Sequence, residues 1–164
     1  MAATFKRVGG GRIRVRLAEE EVAILRNLPD QLKEVLAEGG DDPVNRRLLP
    51  PAYLEPGDAE RDAEYRRLMH DELVQAKLAN LEVVSDTLAK GARSVRRWTV
   101  ELTEEEAMAW LGAFNDLRLA LGVRLDITED FDGLVDDADP RAPAMHLLSY
   151  LGWLEEHLLE ALSA

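Results

Sequence analysis

The sequence predicts an α+β fold, mainly helical, with about five helices and a small antiparallel β-sheet made of an N-terminal hairpin and a strand near residues 96–102. Three observations predict it. Apolar residues recur three and four apart in several long segments, the period of a one-sided helix. Apolar and polar residues alternate strictly in two short segments, the period of a half-buried strand. A triple glycine precedes the first of these, as in a hairpin turn.

In chain order, Thr4 to Val8, Gly9-Gly10-Gly11 and Arg12 to Leu17 read as the hairpin. Ile13, Val15 and Leu17 make one face oily, and Arg12, Arg14 and Arg16 make the other basic. A phosphate-cradling glycine loop is the weaker reading, because such loops open a helix and here a strand follows. Glu19 to Glu38 is helical, with Val22, Leu25, Leu28, Leu32 and Val35 or Leu36 in one stripe. Pro29 interrupts it and predicts a kink or two abutting helices, since proline lacks the amide donor and crowds the carbonyl four residues back. Gly39 and Gly40 end the pattern. Asp42, Pro43, Pro50, Pro51 and Pro56 mark a long connection, with one short helix after Pro43 and with Leu48, Leu49, Tyr53 and Leu54 pinning it to the body.

Asp58 to Lys90 is the longest helical segment, its stripe formed by Tyr65, Leu68, Met69, Leu73, Leu78, Leu81, Val84 and Leu88. Trp98, Val100 and Leu102 then alternate with Arg97, Thr99 and Glu101, which predicts a strand joining the hairpin. Thr103 to Leu125 is apolar on most of its circumference and reads as the core helix. Thr103 and Glu106 form its capping box, and Gly122 is placed as its left-handed C-terminal cap. Residues 126–139 hold seven acids and no base. Thr128, Asp130, Asp132, Gly133, Asp136 and Asp139 match a calcium loop in part, but a Thr stands first and a short Asp last, so a solvated loop is the reading. Ala144 to Leu162 is the final helix, with Leu147, Leu151, Leu154, Leu158 and Leu162 along one side.

A length of 164 residues suggests one domain over 1–164. With no cysteine, disulfides, thiolate metal sites and thiol redox switches are excluded. The N-terminus lacks the apolar run of a signal peptide and no segment is long enough to span a bilayer, so a soluble cytoplasmic protein without membrane contact is expected. His70, His146 and His157 have no Glu three residues upstream and form no His-Glu-x-x-His, so neither a metal nor any other cofactor is expected. Ser85, Ser94, Ser149 and Ser163 sit in no nucleophile elbow, and no catalytic residue is assigned. The expectation is a protein that is not an enzyme.

Two groups of residues are candidate sites. Arg12, Arg14, Arg16, Arg96 and Arg97 form a basic surface suited to an acidic protein partner or to phosphates. The net charge of −12 disfavours DNA, which leaves direct DNA binding as the second reading. Asn115, Asp116 and Arg118 on the oily helix, with Arg124, are a buried polar network or, as a third reading, the lining of a small-molecule pocket. Partner identity is not legible, and a homo-oligomer stays open.

The run from Phe114 to Leu125, with Trp110 before it and Asp126-Ile127 after it, resembles the signature of a small actinobacterial family of unassigned function. Leu28-Pro29-Asp30-Gln31-Leu32, Glu64-Tyr65-Arg66 and Tyr150-Leu151-Gly152-Trp153-Leu154 carry the likeness along nearly the whole chain. That family is similar to the actinomycete oxidative-stress transcriptional regulators. The resemblance implies a non-enzymatic regulatory or adaptor protein of the stress response that acts through protein contacts. Sensing through a thiol pair, however, has no residues to work with here.

Overall fold

The computed structural model describes residues 3–49, 59–128 and 130–164, with residues 59–62 described by their backbone alone. The described residues form five helices and a four-stranded antiparallel sheet of order β1-β2-β4-β3. The strands are β1 (Thr4–Arg7), β2 (Ile13–Ala18), β3 (Ala92–Ser94) and β4 (Arg97–Leu102). The helices are α1 (Glu19–Glu38), α2 (Pro43–Leu48), α3 (Ala59–Ala89), α4 (Glu104–Arg124) and α5 (Ala142–Ser163).

Gly10 and Gly11, at φ of 76° and 72°, turn β1 into β2 through a short 3-10 turn. Such angles are accessible to glycine without steric cost. The register Arg14↔Glu101 and Val15↔Val100 puts Ile13, Val15, Leu17, Val100 and Leu102 on one face, all buried. β3, a strand that no apolar alternation announces, completes the sheet by pairing Ala92 with Thr99 and Ser94 with Arg97. Gly91 precedes it because no side chain fits there: a Cβ would fall inside the Trp98 indole, whose Nε1 donates to the Leu88 carbonyl at 3.1 Å.

α4 touches each of the other four helices and β4. Trp110 and Phe114 are fully buried, packed edge to face with ring centroids 5.9 Å apart. The Trp110 indole donates to the Thr87 hydroxyl at 2.8 Å, so the heart of the core contains a satisfied polar contact. The Thr103–Glu106 capping box is present in both directions, at 3.1 and 2.9 Å. At the other end the helix runs through Gly122. The left-handed position falls on Asp126 at φ 53°, with Asp126 N–H bonding Val123 O at 3.1 Å and Ile127 N–H bonding Gly122 O at 3.0 Å. That is a Schellman closure built on an aspartate, a residue that tolerates the left-handed region, and it corrects the placement of the cap at Gly122.

α1 is one uninterrupted helix, not two abutting ones; Pro29 lies inside it, buried. Its N-terminus uses half of a capping box, Glu21 accepting from Ala18 N–H at 2.9 Å, because Ala18 has no side-chain acceptor to return the bond. Glu21 is itself buried and takes the Tyr150 hydroxyl of α5. Burial, and then the Glu21 contact, push the Tyr150 phenol well above its ordinary range. α2 forms after Pro43 as expected, capped by Asp42, whose carboxylate accepts from Val44 N–H at 2.8 Å. Leu48 and Leu49 are buried; Pro50, Pro51, Tyr53, Leu54 and Pro56 lie outside the described residues.

One expectation needs correction. Leu81, Val84 and Leu88 of α3 are buried, but Tyr65, Leu68, Met69 and Leu73 are 64%, 60%, 48% and 40% exposed. α3 runs antiparallel to α4, with Thr87 on Trp110 and Lys77 on Asp116. At 1.5 Å per residue its 31 residues extend about 46 Å against about 31 Å for the 21 of α4. By that register α4 ends beside the region of Met69, and the first turns of α3 continue beyond it.

Candidate interaction surface

Strand alternation that buries one face of the sheet must turn the other outward. Across that outward face the register aligns Thr4, Arg16, Thr99 and Ala92 in one row, Lys6, Arg14 and Glu101 in the next, and Ala18, Arg97 and Ser94 in a third. Lys6, Arg14, Arg16 and Arg97 therefore share a face whose rows hold one acid among the described residues, Glu101, bonded to Arg14 at 2.9 Å. Arg12 stands just ahead of β2 on the same alternation, about 13 Å from Arg16 at 3.3 Å per residue. The expected basic surface thus assembles from Arg12, Arg14, Arg16 and Arg97. Lys6 joins it through its register with Arg14, a pairing that β1 alone did not signal.

Arg96 lies at the turn of the β3–β4 hairpin with φ 64°, beside Val95, which is 92% exposed at the tip. An arginine in the left-handed region is uncommon and is held there by the two-residue connection between the paired Ser94 and Arg97. Arg7, the neighbour of Lys6, points the other way: its Nη2 and Nε donate to the Leu162 and Ala161 carbonyls at 2.7 and 3.3 Å. It closes the C-terminus of α5, where a cation is favoured.

A cleft of about 180 Å³ lies where the hairpin meets the start of α1, lined by Glu19, Arg26, Arg93, Arg97 and Trp98. The Arg26 guanidinium sits 5.2 Å from the Trp98 ring centroid, and Arg93 forms an ion pair with Glu19. No spacing in the sequence brings Arg26 to Arg93; the tertiary fold does.

The four polar residues proposed for the central helix are not brought together. Asp116 is buried and paired with Lys77 of α3 at 2.8 Å. Asn115 is exposed. Arg118 reaches Glu155 of α5 at 2.6 Å, and Arg124 reaches Asp42 at 2.7 Å. Arg118 lines a groove of about 900 Å³ together with Arg47, Leu119, Phe131 and Trp153. Arg124 lines a separate cleft of about 190 Å³ with Leu28, Val44 and Leu151. In the acidic stretch, Asp132, Asp136 and Asp139 accept from the backbone N–H two residues on, at 2.8 to 2.9 Å, as turn-forming aspartates do. Arg141 and its own Arg141 N–H hold the Asp139 carboxyl below its ordinary value. His146 meets Asp137 at 3.3 Å, and the His157 ring lies tilted by 31° against Trp153 with centroids 4.0 Å apart. No helix among the described residues is long and apolar enough to cross a membrane.

Fold and surface together define a class: an acidic, mainly helical α+β protein that turns a basic sheet face to solvent. The chain belongs to the family described as "Domain of unknown function (DUF2017)", which it matches over residues 1–162. It is 32% identical to proteins named oxidative stress regulator AosR from Mycobacterium tuberculosis and Mycobacterium bovis, over 92% of this chain and 82% of theirs. A relative from Mycobacterium leprae is 32% identical over 98% of this chain and 88% of its own. No solved structure matches.

Proposed function

We propose that the chain is a non-enzymatic regulator of the stress response that works by protein contacts, with the outward face of its sheet as the contact surface. The observation that carries this reading is charge segregation. A chain of net charge −12 gathers Lys6, Arg14, Arg16 and Arg97 on one face, whose aligned rows hold a single acid, Glu101, among the described residues. An acidic partner surface is steered to such a face, while the net charge opposes a long phosphate backbone. The stress-regulator names of the relatives support the same reading. Affinity capture from the native cell tests it: a partner held by the wild-type chain is expected to be lost from Arg12→Glu/Arg16→Glu, positions that face no acid in the register, with the melting temperature unchanged. Equal recovery with that variant overturns it. Fluorescence anisotropy on duplex DNA separates the second reading, which requires binding that falls steeply with salt.

The groove beside Arg118 favours a third reading, a small-molecule site, because its volume is in the range of ligand clefts. Thermal stabilisation by a metabolite that Arg118→Ala abolishes is its signature.

A further inference from the structure

We propose that the cleft between the β3–β4 hairpin and the start of α1 is a carboxylate-binding pocket, which seats an acidic side chain of a protein partner beside the basic sheet face. The inference rests on the reading that the chain acts through protein contacts, and it names the chemistry that contact requires.

The lining of the pocket brings Arg26, Arg93 and Arg97 together with Trp98, and the Arg26 guanidinium is the one over the indole. They come from three elements, α1, β3 and β4, so their convergence is a product of the fold and not of one basic run. The Arg26 guanidinium carbon sits 5.2 Å from the Trp98 ring centroid, in cation–π range. A guanidinium held over a ring by its charge keeps N–H donors for a carboxylate. Trp98 in turn is fixed by its indole bond to the Leu88 carbonyl and by the space that Gly91 leaves. The indole is therefore in position before any partner arrives.

The chain already displays the ligand chemistry. Glu19 lines the cleft and its carboxylate occupies Arg93. A partner carboxylate enters by exchange, taking over Arg93 from Glu19. A volume of about 180 Å³ admits one acidic side chain and is too small for a metabolite, whose clefts start near 300 Å³. Helix polarity adds little here, because Glu19, Glu20 and Glu21 already stand in the first turn of α1. Duplex DNA is the poorer occupant, since its continuous phosphates would also meet the exposed Glu19 and Glu20 and the surrounding net charge.

The test uses the full chain and a fluorescein-labelled polyglutamate peptide as probe, with duplex DNA in a parallel arm. Titration is followed by the three tryptophan indole N–H resonances. Trp98 is expected to move, while Trp110, buried on Thr87, and Trp153, at the groove beside Arg118, stay in place and report that the fold is intact. Arg93→Gln/Arg97→Gln is expected to weaken the peptide about tenfold or more, the scale of a charge-assisted hydrogen bond. Glu19→Gln, which removes the internal competitor, is expected to tighten it. A stationary Trp98 resonance, unchanged or weaker binding in Glu19→Gln, or tighter binding of DNA than of peptide each overturns the pocket. A cellular partner still captured by Arg93→Gln/Arg97→Gln sinks the pocket alone. Peptide binding at Trp98 without any captured partner sinks the contact reading and leaves the pocket standing.

Discussion

The two halves of α3 have similar apolar periodicity and opposite fates. In the C-terminal half, Leu81, Val84 and Leu88 are 0 to 1% exposed, facing α1 and α4. In the N-terminal half, Tyr65, Leu68, Met69 and Leu73 are 40 to 64% exposed. Part of the difference is the reach of the neighbours: α4, with 21 residues against 31, ends beside the region of Met69, so Tyr65 and Leu68 lie past it. A stripe on one helix states that burial is available, and the length of the partner decides how much of it is taken.

The largest effect is expected where the stripe is buried. Leu81→Ala or Leu88→Ala removes side chains from a closed core and is expected to cost about 2–5 kcal/mol, the range for large-to-small core substitutions. Urea unfolding measures it. A loss below about 1 kcal/mol for both would erase the contrast between the halves.

The next effect lies at the boundary. Lys77 and Asp116 join α3 to α4 between the buried and the exposed parts of the stripe, with side chains 17% and 5% exposed. Lys77→Ala strands a buried carboxylate and is expected to cost about 2–3 kcal/mol, moderated because the lysine edge is reached by water. Replacing both, as Lys77→Met/Asp116→Leu, is expected to recover most of that loss, since a buried pair contributes little net stability over an apolar pair. If the double variant is as unstable as the single one, the pair is more than a clamp.

A smaller, pH-dependent effect is expected at the end of α4, where Arg124 holds Asp42. The Arg124 hydrogen bond, then the Val44 amide, keep the Asp42 carboxyl below its ordinary value of 3.8. A carboxyl lowered in the folded state stabilises it above that ordinary value, and the contribution fades as pH falls through the folded one. Stability measured from neutral pH down into the acid range should therefore fall less steeply in Asp42→Asn than in the wild type. Parallel acid limbs would mean that the pair does not hold the end of α4 in solution.

Much of this was legible from residue order. The Thr103–Glu106 box, the alternation at Ile13-Val15-Leu17 and at Trp98-Val100-Leu102, and the stripe of α5 each set a local structure that the fold keeps. β3 was not legible, because Ala92, Arg93 and Ser94 are all exposed and the strand is held by pairing with β4 alone. Nor was the helix end, where a glycine is the usual signal but Asp126 takes the left-handed position four residues after Gly122. At the surface, the alternation exposed Arg14 and Arg16, but Lys6 needed the register, and the Arg26–Trp98–Arg93 cluster needed three elements to meet. The polar residues of α4 were visible as exceptions on an oily helix; their partners Lys77, Glu155 and Asp42 belong to other elements, so their separation was decided by packing.

The smallest effect is the sharpest test of the comparison. Leu68→Gln with Met69→Gln alters two of the larger apolar side chains on the overhanging turns of α3, positions 60% and 48% exposed. Glutamine keeps comparable length and helix propensity, so the backbone has no reason to respond. If the first turns of α3 lie beyond the reach of α4, the double change should alter unfolding free energy by no more than about 0.5 kcal/mol, the usual scale for surface substitutions. The same chemistry at Leu81 and Leu88 would bury two unsatisfied amides and unfold the chain. A loss of about 2 kcal/mol or more at Leu68 and Met69 would require that these side chains be covered in solution, and sedimentation at rising protein concentration would then decide whether a second copy covers them.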